Sequence, residues 1–250
     1  MRKLPSKGPI PDYLRNFCRE NPDCKDWDSF RNNNPKLYQK LKRTIFSQQS
    51  FLCAYCEEKI PEDELFKQRI EHFHPKSDRS VENNWTFDWN NMLGVCLGGS
   101  KEYPIELHCD ASKEQNLTHD TYEGFMLNPL NMPEECLFIV DRSTGKLLVD
   151  ENTCLRVTIA NNHFSTVKEL VDNTIKILNL NCDRLNEKRK KVIAEYEKMR
   201  KELRQKHFKG SIRTRTEIAR RWFEHNIPSF FTTRRFLLGS YAEKYIVTAD

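Results

Sequence analysis

The sequence predicts an α+β protein, in which a small metal-organised module precedes a mainly helical C-terminal region. Three observations predict it. From Phe51 to Leu130 the chain is rich in Cys, His and Asn and has little hydrophobic periodicity, as in modules where bound ions replace much of the apolar core. From Cys136 to Asp150 two apolar runs flank the turn residues Asp141 to Gly145, the pattern of a β-hairpin. After Asn161 apolar residues recur at helical spacing.

Taken in order, the stretch up to Pro35 is rich in Pro, Asn and charge and reads as a surface arm with at most short helices. Residues 35–50 place Leu37, Leu41, Ile45 and Phe46 at helical spacing behind Pro35, where a helix tolerates proline. Val167, Leu170, Val171, Ile175 and Leu178 form one helical stripe. A longer helix is expected from Asp183 to Phe208, with Leu185, Val192, Tyr196, Met199 and Leu203 inward. Its outer face then carries Lys188, Arg189, Lys190, Lys191, Lys198, Arg200, Lys201 and Arg204. That run is either a solvated helix face or a surface for phosphate or a partner. The chain divides into residues 1–130, the module with its arm and helix, and residues 131–250, the hairpin and helical region.

Composition narrows the class. Hydrophobic residues make up 38% and charged residues 31%, a globular balance on the polar side. No apolar run approaches membrane-spanning length, and prolines rather than an apolar stretch follow Arg2, Lys3 and Lys7, so neither a membrane nor a leader segment is expected. The nine cysteines are an odd number. They read as thiols of a reducing cytoplasm, some of them metal ligands, rather than a disulfide framework. A net charge of +5 is compatible with a nucleic-acid substrate without demanding one.

Cys53 and Cys56 form a CxxC pair, which can supply two ligands to a tetrahedral zinc from one tight turn. Cys96 and Cys109 follow, separated by Leu97 to His108, so they are not a standard second knuckle. Zinc ligands and ordinary buried thiols both remain open on this pattern alone. Cys18, Cys24, Cys136, Cys154 and Cys182 have no partner at ligand spacing and read as structural.

Between the cysteine pairs lies Ile70-Glu71-His72-Phe73-His74-Pro75-Lys76, and Asp110 and Lys113 follow Cys109. Phosphodiester hydrolysis needs a base for water and a divalent ion to offset phosphate charge. Glu71 and Asp110 are hard oxygen ligands suited to Mg²⁺ or Mn²⁺, and the His72 imidazole can be the base. Singly, each has a bland reading as a surface pair, a cap or a turn residue. Their order carries the weight.

That order resembles the HNH endonucleases. They share a Cys pair, an acid-His step, an Asn step, then Cys, and then a further Cys followed by a polar residue and a Lys. Here these are Cys53, Cys56, Glu71, His72, Asn91, Cys96, Cys109, Asp110 and Lys113. Cys-Ala-Tyr-Cys-Glu at 53–57, Trp-Asn-Asn-Met-Leu at 89–93 and His-Cys-Asp at 108–110 are similar to the HNH subunits of Septu-type anti-phage systems, relatives of which accompany some retrons. The likeness is strong over residues 36–130. It implies a ββα-metal zinc-knuckle nuclease module with structural zinc on the four cysteines. His72 would be general base, Glu71 and Asp110 would hold the catalytic ion, and Asn91 would orient the loop and base or reach the ion. It also implies cleavage of nucleic acid, DNA favoured and RNA possible, and a helical region docked on an ABC-type ATPase. Two positions depart from the pattern: Asp110 stands where His or Asn is usual, and the Leu97–His108 spacer is long. His74 would share a strand face with His72 and reach phosphate or metal, or serve structure. Trp222, Phe223, Phe230, Phe231 and Phe236 either complete a helical core or form an interface. The competing reading is a non-catalytic zinc-dependent nucleic-acid-binding or adaptor module. A zinc deaminase fits poorly, because there the acid follows the His and the CxxC comes later.

Overall fold

The structure is a computed structural model that describes residues 1–78, 83–99, 106–115, 121–205 and 211–246. Three helices open the chain: α1 (Asp12–Glu20), α2 (Trp27–Asn33) and α3 (Pro35–Gln48). Asp26 starts α2 by accepting the backbone N–H groups of Asp28 and Ser29, and Pro35 occupies the first turn of α3. The opening stretch is not a surface arm. Leu14, Trp27 and Phe30 are buried and pack with Leu41, Ile45, Ile70, Phe87, Trp89 and Met92 as a separate apolar cluster. Aromatic side chains, far apart in the sequence, do this: the Phe30 and Phe87 rings meet edge to face at 5.2 Å.

Strands β1 (Arg69–His72) and β2 (Met92–Val95) pair antiparallel, with Glu71 opposite Leu93 and His72 opposite Met92. Alternation along β1 sends Ile70 towards the N-terminal helices and Arg69 and Glu71 towards α4 (Asp110–Gln115). Strand β2 lies tight against the end of α3. The Gln49 amide donates to Gly94 O (2.8 Å) and accepts from Gly94 N–H (2.7 Å). A Cβ on Gly94 would meet the Phe46 ring at 3.0 Å, so any larger residue would push that ring aside. The chain returns from Cys96 towards Cys109 through Gly98 at φ +69°, where a Cβ would stand 2.3 Å from the His108 carbonyl.

Strands β3 (Phe138–Val140) and β4 (Leu147–Val149) make the expected hairpin. Then come the one-turn helix α5 (Glu151–Cys154), α6 (Val167–Ile177), α7 (Asp183–Gln205), α8 (Ser211–Phe223), α9 (Phe231–Leu238) and the one-turn α10 (Ser240–Glu243). A capping box between Thr166 and Glu169 starts α6. The expected end of α7, residues 206–208, lies outside the described residues. Leu185, Val192, Tyr196 and Leu203 face inward on α7, as the stripe requires, but Arg189 does not lie on the outer face: it is 2% exposed. Trp222, Phe223, Phe230 and Phe231 are buried, so these aromatics complete the helical core. One apolar cluster joins the knuckle cysteines, β3, β4 and α6 to α9. Among the described residues no helix is long and apolar enough to cross a membrane.

Candidate active site and metal centre

The four predicted cysteines converge, all buried. Cys53 Sγ lies 3.8 Å from Cys109 Sγ, and Cys56 Sγ lies 3.8 Å from Cys96 Sγ. A tetrahedron with metal–sulfur bonds of about 2.3 Å has sulfur–sulfur edges of about 3.8 Å. The donor set and its size therefore fit zinc, and the cluster can hold it. A second grouping, Cys56 with Glu58 and His108, shares a sulfur with the first. The all-sulfur set is the better match to zinc, because it supplies four buried soft donors where the second grouping supplies three of mixed kind.

Local hydrogen bonds explain the convergence. Cys53 N–H donates to Glu58 O (2.9 Å) and Glu57 N–H donates to Cys53 O (3.0 Å), which closes the CxxC turn. Ala54 N–H donates to Gly94 O (2.9 Å), fastening that turn to β2. Cys109 N–H donates to Leu178 O (2.8 Å), so the fourth sulfur is placed by the end of α6. The Glu57 carboxylate accepts the N–H (2.9 Å) and hydroxyl (2.6 Å) of Thr232, which ties the knuckle to α9.

A cleft of about 440 Å³ opens beside this centre, lined by Trp27, Arg69, Glu71, His72, Asp110 and Lys113 among others. Glu71 comes from β1 and Asp110 from the first turn of α4, and the two carboxyls lie within hydrogen-bonding reach of each other. Burial holds Glu71 well above the usual carboxylate range, against the pull of the Lys113 ammonium it pairs with. Burial also raises Asp110, but its hydrogen bonds to Glu71 and to Arg69, 2.7 Å away, carry it below that range. Two facing carboxyls of unequal acidity, each beside a cation, form a hard-oxygen donor pair of the kind that holds a divalent ion.

His72 stands at the end of β1. Its Nε2 is 3.0 Å from the Thr86 carbonyl. A carbonyl only accepts, so Nε2 carries the proton and Nδ1 keeps a free lone pair. The Trp27 ring meets the imidazole edge to face at 4.5 Å. Burial lowers the His72 pKa to about 4, which leaves the ring neutral at physiological pH.

Asn91 is fully engaged with main chain. His74 N–H donates to its Oδ1 (2.6 Å), and its Nδ2 donates to His74 O (3.0 Å) and Trp85 O (2.9 Å). It therefore ties the segment after β1 to the start of β2. His74 lies beyond the strand, which ends at His72, so it shares no strand face with it. Its ring stacks on Trp85 at 3.9 Å between Glu123 and Asp78.

Sequence reasoning brought together Glu71, His72, Asp110 and the four cysteines, and the structure does place them side by side. It missed Arg69, Trp27 and the Thr86 carbonyl and gave Lys113 no role. Arg69 had a signal, since it lies two residues before Glu71 on the same strand face. Trp27 and Thr86 reach the site through tertiary packing and had none.

A four-cysteine cluster that can hold zinc thus lies beside a cleft lined by two carboxyls and an imidazole. No family model matches the chain. The chain is 34% identical over 239 residues, 90% of its length and 89% of the relative's, to an Escherichia coli protein named as an HNH endonuclease of retron Ec83. It is 26% identical over 113 residues, 45% of its length and 52% of the relative's, to a Vibrio cholerae serotype O1 biovar El Tor protein named as an HNH endonuclease of retron Vc95. The chain belongs to the HNH endonuclease family and is a nuclease.

Proposed function

We propose that this nuclease is a divalent-ion-dependent HNH endonuclease, with DNA as its favoured substrate, and that β1, β2 and α4 form its ββα-metal module with zinc on Cys53, Cys56, Cys96 and Cys109. One observation carries the reading: a neutral imidazole with its Nε2 committed to the Thr86 carbonyl lines the same cleft as the Glu71–Asp110 pair.

His72 is the general base. As a water oxygen bonds to phosphorus, Nδ1 takes the water's proton, and the bridging P–O bond opposite breaks with its electron pair leaving on the departing oxygen. Glu71 and Asp110 would hold Mg²⁺ or Mn²⁺, which when bound supplies charge compensation for the phosphate and the leaving oxygen. Lys113 and Arg69 keep the two carboxylates aligned from either side. Asn91 holds the loop that follows the base. Trp27 packs the imidazole into one orientation, which matters because small misplacements of a reacting group are costly in rate.

Residues 1–130 are the catalytic part and residues 131–250 the partner-binding part. The chain is the cytoplasmic effector of an anti-phage defence complex with an ABC-type ATPase. This rests on the likeness to Septu-type subunits and on the retron names of the relatives. Because Trp222, Phe223, Phe230 and Phe231 are buried, the docking surface is the exposed basic side of α7, with Lys191, Lys198 and Lys201. Reversing these three to Glu is expected to weaken co-purification with the ATPase.

The test of the activity is incubation of purified protein with end-labelled DNA and RNA, with Mg²⁺, Mn²⁺ or EDTA, alone and with the ATPase. Ion-dependent cleavage of DNA that His72→Ala lacks is the expected result. Binding without cleavage under every condition would favour the non-catalytic module.

A further inference from the structure

Arg189 on α7 is among the largest fully buried side chains of the protein, and at 2% exposure its charge has almost no access to water. Its guanidinium donates to Leu180 O (2.6 Å), Asn186 Oδ1 (3.1 Å) and Gly145 O (3.2 Å). All three acceptors are neutral. Among the described residues no carboxylate lies within ion-pair distance of it. These three hydrogen bonds engage part of the guanidinium's donors but bring no counter-charge, and a buried charge without a counter-charge is strongly disfavoured.

Something must balance it. The groups that act on it electrostatically are Cys56, Glu57, Cys182 and Cys109, and two of these belong to the four-sulfur cluster. Glu57 is already committed to Thr232 and to the Met1 ammonium, 3.4 Å away. Cys182 is a lone thiol whose pKa burial raises, so it stays neutral. Four thiolates around one Zn²⁺, by contrast, carry a net charge of −2 in a buried pocket. The pocket has a surplus of negative charge where the arginine has a surplus of positive charge.

We infer that Arg189 is the buried counter-cation of the tetrathiolate metal centre, and that it holds α7 against the knuckle by that charge. The same helix brings a second cation to the cluster. The Arg184 guanidinium lies 2.6 Å from His108 Nε2, on the ring that stands beside Cys96. The helical half of the chain thus grips the metal centre, and its register on the nuclease part depends on the centre's charge. Arg189 is a positioning residue for the metal ligands and touches no substrate.

The inference rests on the zinc reading of the four cysteines. Zinc-loaded wild-type protein, Arg189→Met, Arg189→Gln and Arg189→Lys are compared by the rate of zinc transfer to a chromogenic chelator. Unfolding is measured with zinc and after its removal. Arg189→Met and Arg189→Gln are expected to release zinc about 10–100-fold faster, as for other losses beyond the ligand sphere. Arg189→Lys keeps the charge and is expected to stay near wild type. Should Arg189→Met fail to fold, Gln against Lys carries the comparison. Equal release from Gln, Met and wild type overturns the inference. So does equal acceleration in Lys and Met, which would make the role one of hydrogen bonding and packing alone. Wild-type protein that contains no zinc sinks the zinc reading itself, which elemental analysis reads separately.

Discussion

Replacing Asn91 by alanine removes three buried hydrogen bonds at once. The side chain is 4% exposed and joins His74 N–H, His74 O and Trp85 O at 2.6, 3.0 and 2.9 Å. Each such bond contributes about 1 kcal/mol net. The three together give about 3 kcal/mol, and main-chain groups left without partners push the loss upwards. Because the bonds fix the backbone two residues after His72, loosening them also misplaces the base, and a shift of about 1 Å is enough to cost roughly 10²-fold in rate. Both polar side-chain atoms of Asn91 already bond the main chain, so the ion requirement is expected not to change. The assay is paired: urea unfolding of zinc-loaded wild type and Asn91→Ala, and initial cleavage rates against Mg²⁺ concentration. The expected outcome is lower stability and rate with the same half-saturating Mg²⁺. Unchanged stability with a tenfold higher Mg²⁺ requirement would refute the reasoning and make Asn91 an ion ligand.

His72→Ala is expected to keep fold and zinc while losing cleavage by about 10²–10⁴-fold, as for a missing general base; cleavage at the wild-type rate refutes the assignment. Glu71→Gln and Asp110→Asn are expected to raise the divalent-ion concentration needed for half-maximal rate, read from the same titration. Cys53→Ser is expected to abolish stoichiometric zinc and to expose the knuckle to proteolysis; wild-type protease resistance would argue against coupling of fold to metal. His72 also predicts a pH dependence of stability. Burial lowers its pKa from 6.5 to about 4, so between these values the unfolded chain binds the proton and the folded chain does not. Stability should therefore fall as pH drops through that window, by about 3 kcal/mol at the lower end. His72→Gln should remove that part of the slope in urea midpoints; an unchanged slope would place the titration elsewhere.

Much of the local structure was legible in the residues. The stripe Leu170, Val171, Ile175 and Leu178 gives α6, since burial repeats with the helix period. The apolar runs around Asp141 to Gly145 give the β3–β4 hairpin. Other features were illegible for a physical reason. The N-terminal stretch carries a short stripe on α1, Tyr13, Leu14, Phe17 and Cys18, but nothing local shows what covers it: this stripe, Trp27 and Phe30 pack with Ile70 and Phe87, which lie far along the chain. His74 alternates with His72 in sequence, but the strand stops between them.

By itself the sequence determined the inventory: which side chains are soft donors, which are hard, where an imidazole that could serve as base lies, and in what order they come. Composition and short-range spacing are enough for that, because ligand type and helix or strand period are local properties. Tertiary structure alone decided that the four sulfurs close to tetrahedral distances, that the Thr86 carbonyl selects the imidazole's free nitrogen, and that one arginine in a run of surface cations is interior. Arg189 stands between Lys188 and Lys190, and nothing within a few residues distinguishes it. Its burial follows from where α7 crosses the Gly145 turn, 44 residues back in the chain, while the Leu180 carbonyl closes over it from the segment just before the helix.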